Sequence, residues 1–224
     1  TLRYFALVRW FMLLTVAAPI QLWFIPTFAE HSYQPEVLAD ITIAFWFIYG
    51  FYAVFNGLLT SVAFGEFGDR EASIATIANI GCLLSECAAI SLTDYCVGSV
   101  SLLQPTLGII PLVFYRVFLG YRIAVIGFIA LFGTFGIVGG LEILRQVPIS
   151  PAFEAELNHP YYTRPLLGWG QLWLATSQGL AFFTLINYIT NQRQHLHKYI
   201  TEYVLLRYLP QSMVKRAAAG ELSL

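Results

Sequence analysis

Glu86 is the residue whose position most invites a chemical reading, because it sits near the middle of an otherwise apolar stretch. Stepping by three and four residues, Thr76, Asn79, Cys82, Glu86 and Thr93 fall on one face of a helix. An intramembrane carboxylate is expensive and marks a functional site by default. Its chemistry would be that of a proton- or cation-sensitive switch, or of a ligand contact. The structural alternative is a carboxyl held by amides on other segments, with Asn56, Gln104, Gln178 and Asn187 as the available partners. That alternative weighs more, since a lone acid without a basic partner makes a poor translocation pathway. The candidate polar site is therefore Asn79, Glu86, Asn56 and Gln104.

Other chemistries are limited by what is present. Carboxylates and imidazoles can bind divalent metals, and Glu30, Glu36, Asp40, Asp94, Glu142, Glu154 and Glu156, with His31 and His159, are placed in outer loops. They are scattered, and a solvated loop surface is the expected arrangement; no metal site is assigned. The 145–166 loop, stiffened by Pro148, Pro151, Pro160 and Pro165, is the best place for an external ligand. A bis-histidine haem would need histidines within the spans, and a retinal Schiff base an intramembrane lysine; the lysines are Lys198 and Lys215. Neither a P-loop, a G-x-S-x-G nor an H-E-x-x-H pattern is present, so no catalytic or cofactor-binding residue is assigned. Cys82, Cys87 and Cys96 are odd in number and read as buried thiols.

The elements that must position these groups are membrane spans. The chain is 58% hydrophobic and 11% charged, against roughly 25% charged in soluble domains, and its mean hydropathy is +0.66. A net charge of −1 without a basic stripe excludes a nucleic-acid partner. Apolar runs approaching the ~20 residues needed to cross a bilayer occur at Tyr4–Phe28, Asp40–Phe64, Ile74–Leu92, Leu102–Phe118, Ile123–Leu144 and Trp169–Ile189. The expected fold is all-α and integral to the lipid bilayer, a six-transmembrane-helix bundle.

Charge sets the expected orientation. With the N-terminus inside, Arg3, Arg9, Arg70, Arg116, Arg122, Arg193, Lys198, Arg207, Lys215 and Arg216 lie on the cytosolic side, and only Arg145 and Arg164 outside. Ten against two is a strong positive-inside bias, which places both termini in the cytosol of a multi-pass inner (plasma) membrane protein. In the fifth span Gly136 and Gly140 form a GxxxG pair that lets helices approach closely.

The sixth span runs on into polar sequence. Ile189, Leu196, Ile200 and Tyr203 are spaced 7, 4 and 3 apart, a short seam suited to a parallel two-stranded coil; a helix lying on the membrane surface is the alternative. Residues 1–190 are thus read as the transmembrane domain and 191–224 as a cytosolic signalling helix and connector. The last segment is too polar for lipid and too short to fold alone, which implies an output domain beyond it, and Thr1 implies a longer natural N-terminus.

The stretch Arg207-Tyr208-Leu209-Pro210-Gln211-Ser212-Met213-Val214-Lys215-Arg216, followed by Gly220-Glu221, resembles the segment preceding the catalytic domain of class III adenylate and guanylate cyclases. Leu209, Pro210, Val214 and Gly220 carry the likeness as connector residues. The resemblance implies a membrane anchor and receptor domain, a homodimer whose exit helices set how two catalytic domains meet, an unknown ligand that is a lipid or small molecule, and Mg or Mn in the catalytic domain that makes cyclic AMP from ATP. None of that family's catalytic residues falls within this chain. A small transporter or channel using Glu86, and a sensor for another signalling enzyme, are the alternative functions.

Overall fold

A computed structural model describes residues 2–19, 35–65, 71–99, 104–149 and 160–200, together with Leu22, Thr27, Tyr203 and Met213. The described residues are 92% helical, and none of them forms a strand.

Helix α1 (Leu2–Met12) continues into a π-helical turn at Leu13–Ala17. Within this turn the Thr15 hydroxyl donates to the Phe11 carbonyl at 2.7 Å. Helix α2 (Pro35–Phe64) buries Leu38, Ile41, Phe45, Tyr49, Tyr52, Asn56, Leu59 and Val62, a stripe at steps of three and four. Its opposite side is equally apolar, with Ile43, Trp46, Phe47, Phe51 and Val54 exposed. A helix that is hydrophobic all round belongs in lipid.

Helix α3 (Glu71–Val97) lies against α2 as the most extensive pairing in the molecule. Helix α4 (Gln104–Phe118) is shorter, with Pro111 in its interior. Gly120, at φ 95°, reverses the chain and opens α5 (Tyr121–Ile143); only glycine takes that conformation without strain. A short α6 (Pro160–Thr163) leads to α7 (Pro165–Tyr199), which starts on a proline at its first turn.

Four helices, α2, α3, α5 and α7, are long and apolar enough to cross a membrane. Each of the other two expected spans is also helical over its described residues: α1 with its π-helical turn, and α4. At 15 residues α4 is about 22 Å long, less than the ~30 Å hydrocarbon core.

The core has two main parts. One joins Leu83 and Cys87 of α3 to Leu112 and Tyr115 of α4, Leu131, Phe132 and Phe135 of α5, and Leu172, Ala175 and Phe183 of α7. The other joins Leu13 to the buried stripe of α2 and to Cys82, Ala89 and Cys96 of α3. Close approach depends on glycine at two places: a Cβ on Gly81 would collide with the Phe55 ring, and one on Gly179 with Phe132. The GxxxG pair divides its roles. A Cβ on Gly140 would press on Trp169 of α7 at 3.2 Å, whereas one on Gly136 would meet open space.

Candidate functional site

The polar stripe of α3 does not stand alone; Arg9 reaches it from α1. Ala6, Arg9 and Leu13 are 0%, 3% and 6% exposed, so the one charged residue of this trio occupies the same buried face as its apolar neighbours. Its Nη1 donates to Asn79 Oδ1 at 2.8 Å, and its Nη2 to the Tyr115 hydroxyl of α4 at 3.4 Å. Its Nε lies 3.4 Å from Glu86 Oε1. The guanidinium also stands 5.6 Å from the centre of the Tyr115 ring, a cation–π contact. Tyr52 of α2 is a further polar side chain that interacts with Glu86.

Four helices thus converge on one ion pair, and each contributes a group suited to the task. Asn79 donates from Nδ2 to the Ala75 carbonyl of its own helix at 2.8 Å, which leaves Oδ1 turned toward Arg9. Tyrosine supplies an apolar body with a polar tip, fit for a site walled by Cys82 and Leu83. The guanidinium fork presents several fixed donors, giving hydrogen bonds to two acceptors while its Nε edge faces the carboxylate. Chemically this is a neutralised, hydrogen-bonded charge pair that fastens α1 to α3 and α4. The basic partner missing from the sequence reading of Glu86 is Arg9.

Of the residues singled out in the sequence, Asn79 and Glu86 meet here, with Cys82 buried beside them. Asn56 does not touch Glu86. It is fully buried and donates to the Ala6 carbonyl at 3.3 Å, one turn from Arg9, while Trp10 donates to Thr60 at 3.0 Å, so both pin α1 to α2. Gln104 opens α4, and its side chain lies outside the described residues. Thr76 is exposed, and Thr93 bonds back to the Ala89 carbonyl. Gln178 is exposed, and Asn187 serves a different arginine.

That arginine is Arg116, 3% exposed at the end of α4. Its Nε donates to Asn187 Oδ1 at 2.5 Å and its Nη2 to Asn191 Oδ1 at 2.6 Å, both on α7. Arg9 and Arg116 were counted by sequence among the charges at the cytosolic edge; the structure buries both. Their polar partners lie on other helices, which sequence order does not reveal. Without them the charge asymmetry is eight against two.

Two acids assigned to outer loops are also inside. Asp94 belongs to α3 and Glu142 to α5, at 4% and 0% exposure. Glu142 Oε2 accepts the Ser99 backbone N–H at 2.9 Å. A solvated surface is therefore the wrong description for this pair, because helix ends bring both carboxylates into packed protein. Glu36 and Asp40 are exposed on the first turns of α2, and Glu30, His31, Glu154, Glu156 and His159 lie outside the described residues. Among the described residues no three His, Cys, Asp or Glu side chains gather as a metal site.

The expected transducer seam lies on α7 and just beyond it: Ile189, Leu196, Ile200 and Tyr203 are 56%, 59%, 42% and 66% exposed. Tyr199 and Tyr203 stack with ring centres 5.4 Å apart. The connector residues Leu209, Pro210, Val214 and Gly220 lie outside the described residues. No family model matches this chain, and no curated protein or solved structure matches it either.

Proposed function

We propose that this chain is the membrane anchor and receptor domain of a class III nucleotide cyclase, an adenylate cyclase, working as a parallel homodimer in the plasma membrane. In this reading α1 and α4 complete six spans, both termini are cytosolic, and α7 carries the signal out to catalytic domains that use Mg or Mn to form cyclic AMP from ATP. The observation that carries it is the form of α7. At 35 residues it is about 52 Å long, roughly 20 Å more than a bilayer core. Its last buried residue is Phe183, and residues 191–200 are all exposed. A continuous helix that leaves the bundle bearing an apolar seam, followed in sequence by the cyclase-like connector, fits an output element. A receptor role further requires a ligand that binds two helix packings with different affinity.

A transporter built on Glu86 draws less support. Arg9 neutralises that carboxylate at 3.4 Å, so α3 offers a paired group in place of a free ion ligand. The test is cyclic nucleotide formation by membranes carrying the native full-length polypeptide, with Mn²⁺ and ATP or GTP. Product from ATP supports the proposal. No cyclic nucleotide from an intact, inserted protein overturns it.

A further inference from the structure

Tyr115 and Arg116 are consecutive residues of α4, yet they serve different helices, α1 and α7. Neighbouring helical residues point about 100° apart, and here one side chain reaches the Arg9–Glu86 pair while the other holds α7. Both are nearly sealed from solvent, at 1% and 3% exposure. The two ends are built alike. At each, an asparagine donates its amide N–H to the carbonyl four residues back in its own helix, Asn79 to Ala75 and Asn187 to Phe183. At each, the remaining Oδ1 accepts from an arginine, Arg9 or Arg116. An amide anchored in this way cannot swing, so movement of the arginine is passed to the helix.

Pro111 lies one turn before Tyr115 within α4. Proline lacks the N–H that would close the ladder at that point and loosens the helix locally. The last turn of α4, capped by the Leu119 and Gly120 N–H groups donating to the Tyr115 carbonyl at 2.9 and 3.1 Å, is thereby a short unit beyond a weak joint. Asn191 is the point of α7 beyond which every described residue is exposed.

We propose that Tyr115 and Arg116 form a relay that links the state of the Arg9–Glu86 pair to the angle and stability with which α7 leaves the bundle. The output of this relay rests on the functional reading above; the coupling itself does not. Its test is a double-mutant cycle on the full chain in lipid nanodiscs, read as amide hydrogen exchange of residues 192–199. Glu86→Gln keeps the shape but removes the charge. It is expected to change exchange of these amides by at least about twofold. In an Asn187→Ala/Asn191→Ala background, where Arg116 has lost its hold, the same change is expected to have no further effect. Asn187→Asp, which keeps an oxygen acceptor, is expected to retain the response. If the double alanine protein does not assemble, Arg116→Lys removes the two-pronged donor while keeping the charge, and carries the same expectation. Equal responses to Glu86→Gln in both backgrounds, or a response in neither, overturn the relay. Exchange is read without any enzymatic product, so coupling without cyclic nucleotide formation overturns the cyclase reading alone, and the converse overturns the relay alone.

Discussion

Arg9 Nε and Glu86 Oε1 stand 3.4 Å apart, on helices separated by a whole span of sequence, and their charges cancel where neither could be left alone. Glu86 lies 15 residues into α3, about 22 Å from its start, while Arg9 is 3% exposed. Desolvating two ions costs several kcal/mol each, and mutual attraction repays this only when additional hydrogen bonds complete the geometry. Asn79 and Tyr115 provide such bonds, both to Arg9. The pair therefore specifies where α1 docks more than it adds to net stability.

Removing one partner should accordingly hurt more than removing both. Arg9→Met or Glu86→Leu alone is expected to lower stability in nanodiscs by about 3 kcal/mol, near the low end for a broken buried pair because the Glu86 side chain keeps 25% of its surface. The combined Arg9→Met/Glu86→Leu protein is expected to recover most of that loss, as apolar replacements of buried pairs do. Thermal unfolding of the three variants measures it. Additive losses in the combined variant would mean that the two charges do not meet.

Glycine packing gives a second check. Gly179→Ala and Gly81→Ala push a methyl group into the Phe132 and Phe55 rings, and each is expected to cost about 1–3 kcal/mol. Gly136→Ala, whose methyl meets open space, is expected to change stability by less than about 0.5 kcal/mol. Unfolding curves that rank Gly136→Ala with the other two would contradict this helix arrangement.

Orientation can be read with a membrane-impermeant maleimide. Arg122→Cys, after the α4–α5 turn, is expected to react only from the cytosolic side, and Arg164→Cys, before α7, only from outside. Both positions are exposed, while native Cys82, Cys87 and Cys96 are buried at 0%, 6% and 0% and should stay silent. Labelling of Arg122→Cys from outside would reverse the proposed topology.

The apolar runs disclosed the helices because lipid demands long continuous hydrophobicity: α5 matches its expected bounds to within two residues, α2 and α3 extend by up to five, and α7 runs ten residues past its expected span. Glu86 was legible for the same reason, as a charge where none is cheap. Arg9 and Arg116 were not, because an arginine near the end of a span reads as a snorkelling charge at the membrane edge. Only the folded chain shows that each turns inward to acceptors far away in sequence, Arg9 to Asn79 and Arg116 to Asn187 and Asn191. Tyr52 and Tyr115 were hidden by type: a tyrosine within an apolar run carries no sign of where its hydroxyl points. Asp94 was misplaced because α3 runs past Leu92, where the apolar run ends, whereas Glu142 falls inside the fifth apolar run, on the last turn of α5, and its acidic type alone suggested a loop.

The exposed seam of α7 offers the most direct test of function. Leu196 and Ile200 are 59% and 42% exposed in a single chain, so a charged side chain at either place disturbs no intramolecular packing. Leu196→Asp and Ile200→Glu should therefore insert and fold like the native protein. In a parallel two-stranded coil, however, each places like charges at a contact that must be apolar. Each variant is expected to lower cyclic nucleotide formation by at least about tenfold, since a loss of 1–2 kcal/mol at a helix seam shifts an association equilibrium by roughly that factor. Cross-linking of the full-length protein in membranes should fall in parallel. Full activity and unchanged dimerisation in both variants would show that the seam does not hold two exit helices together, and would leave the end of α7 as a segment lying on the membrane surface.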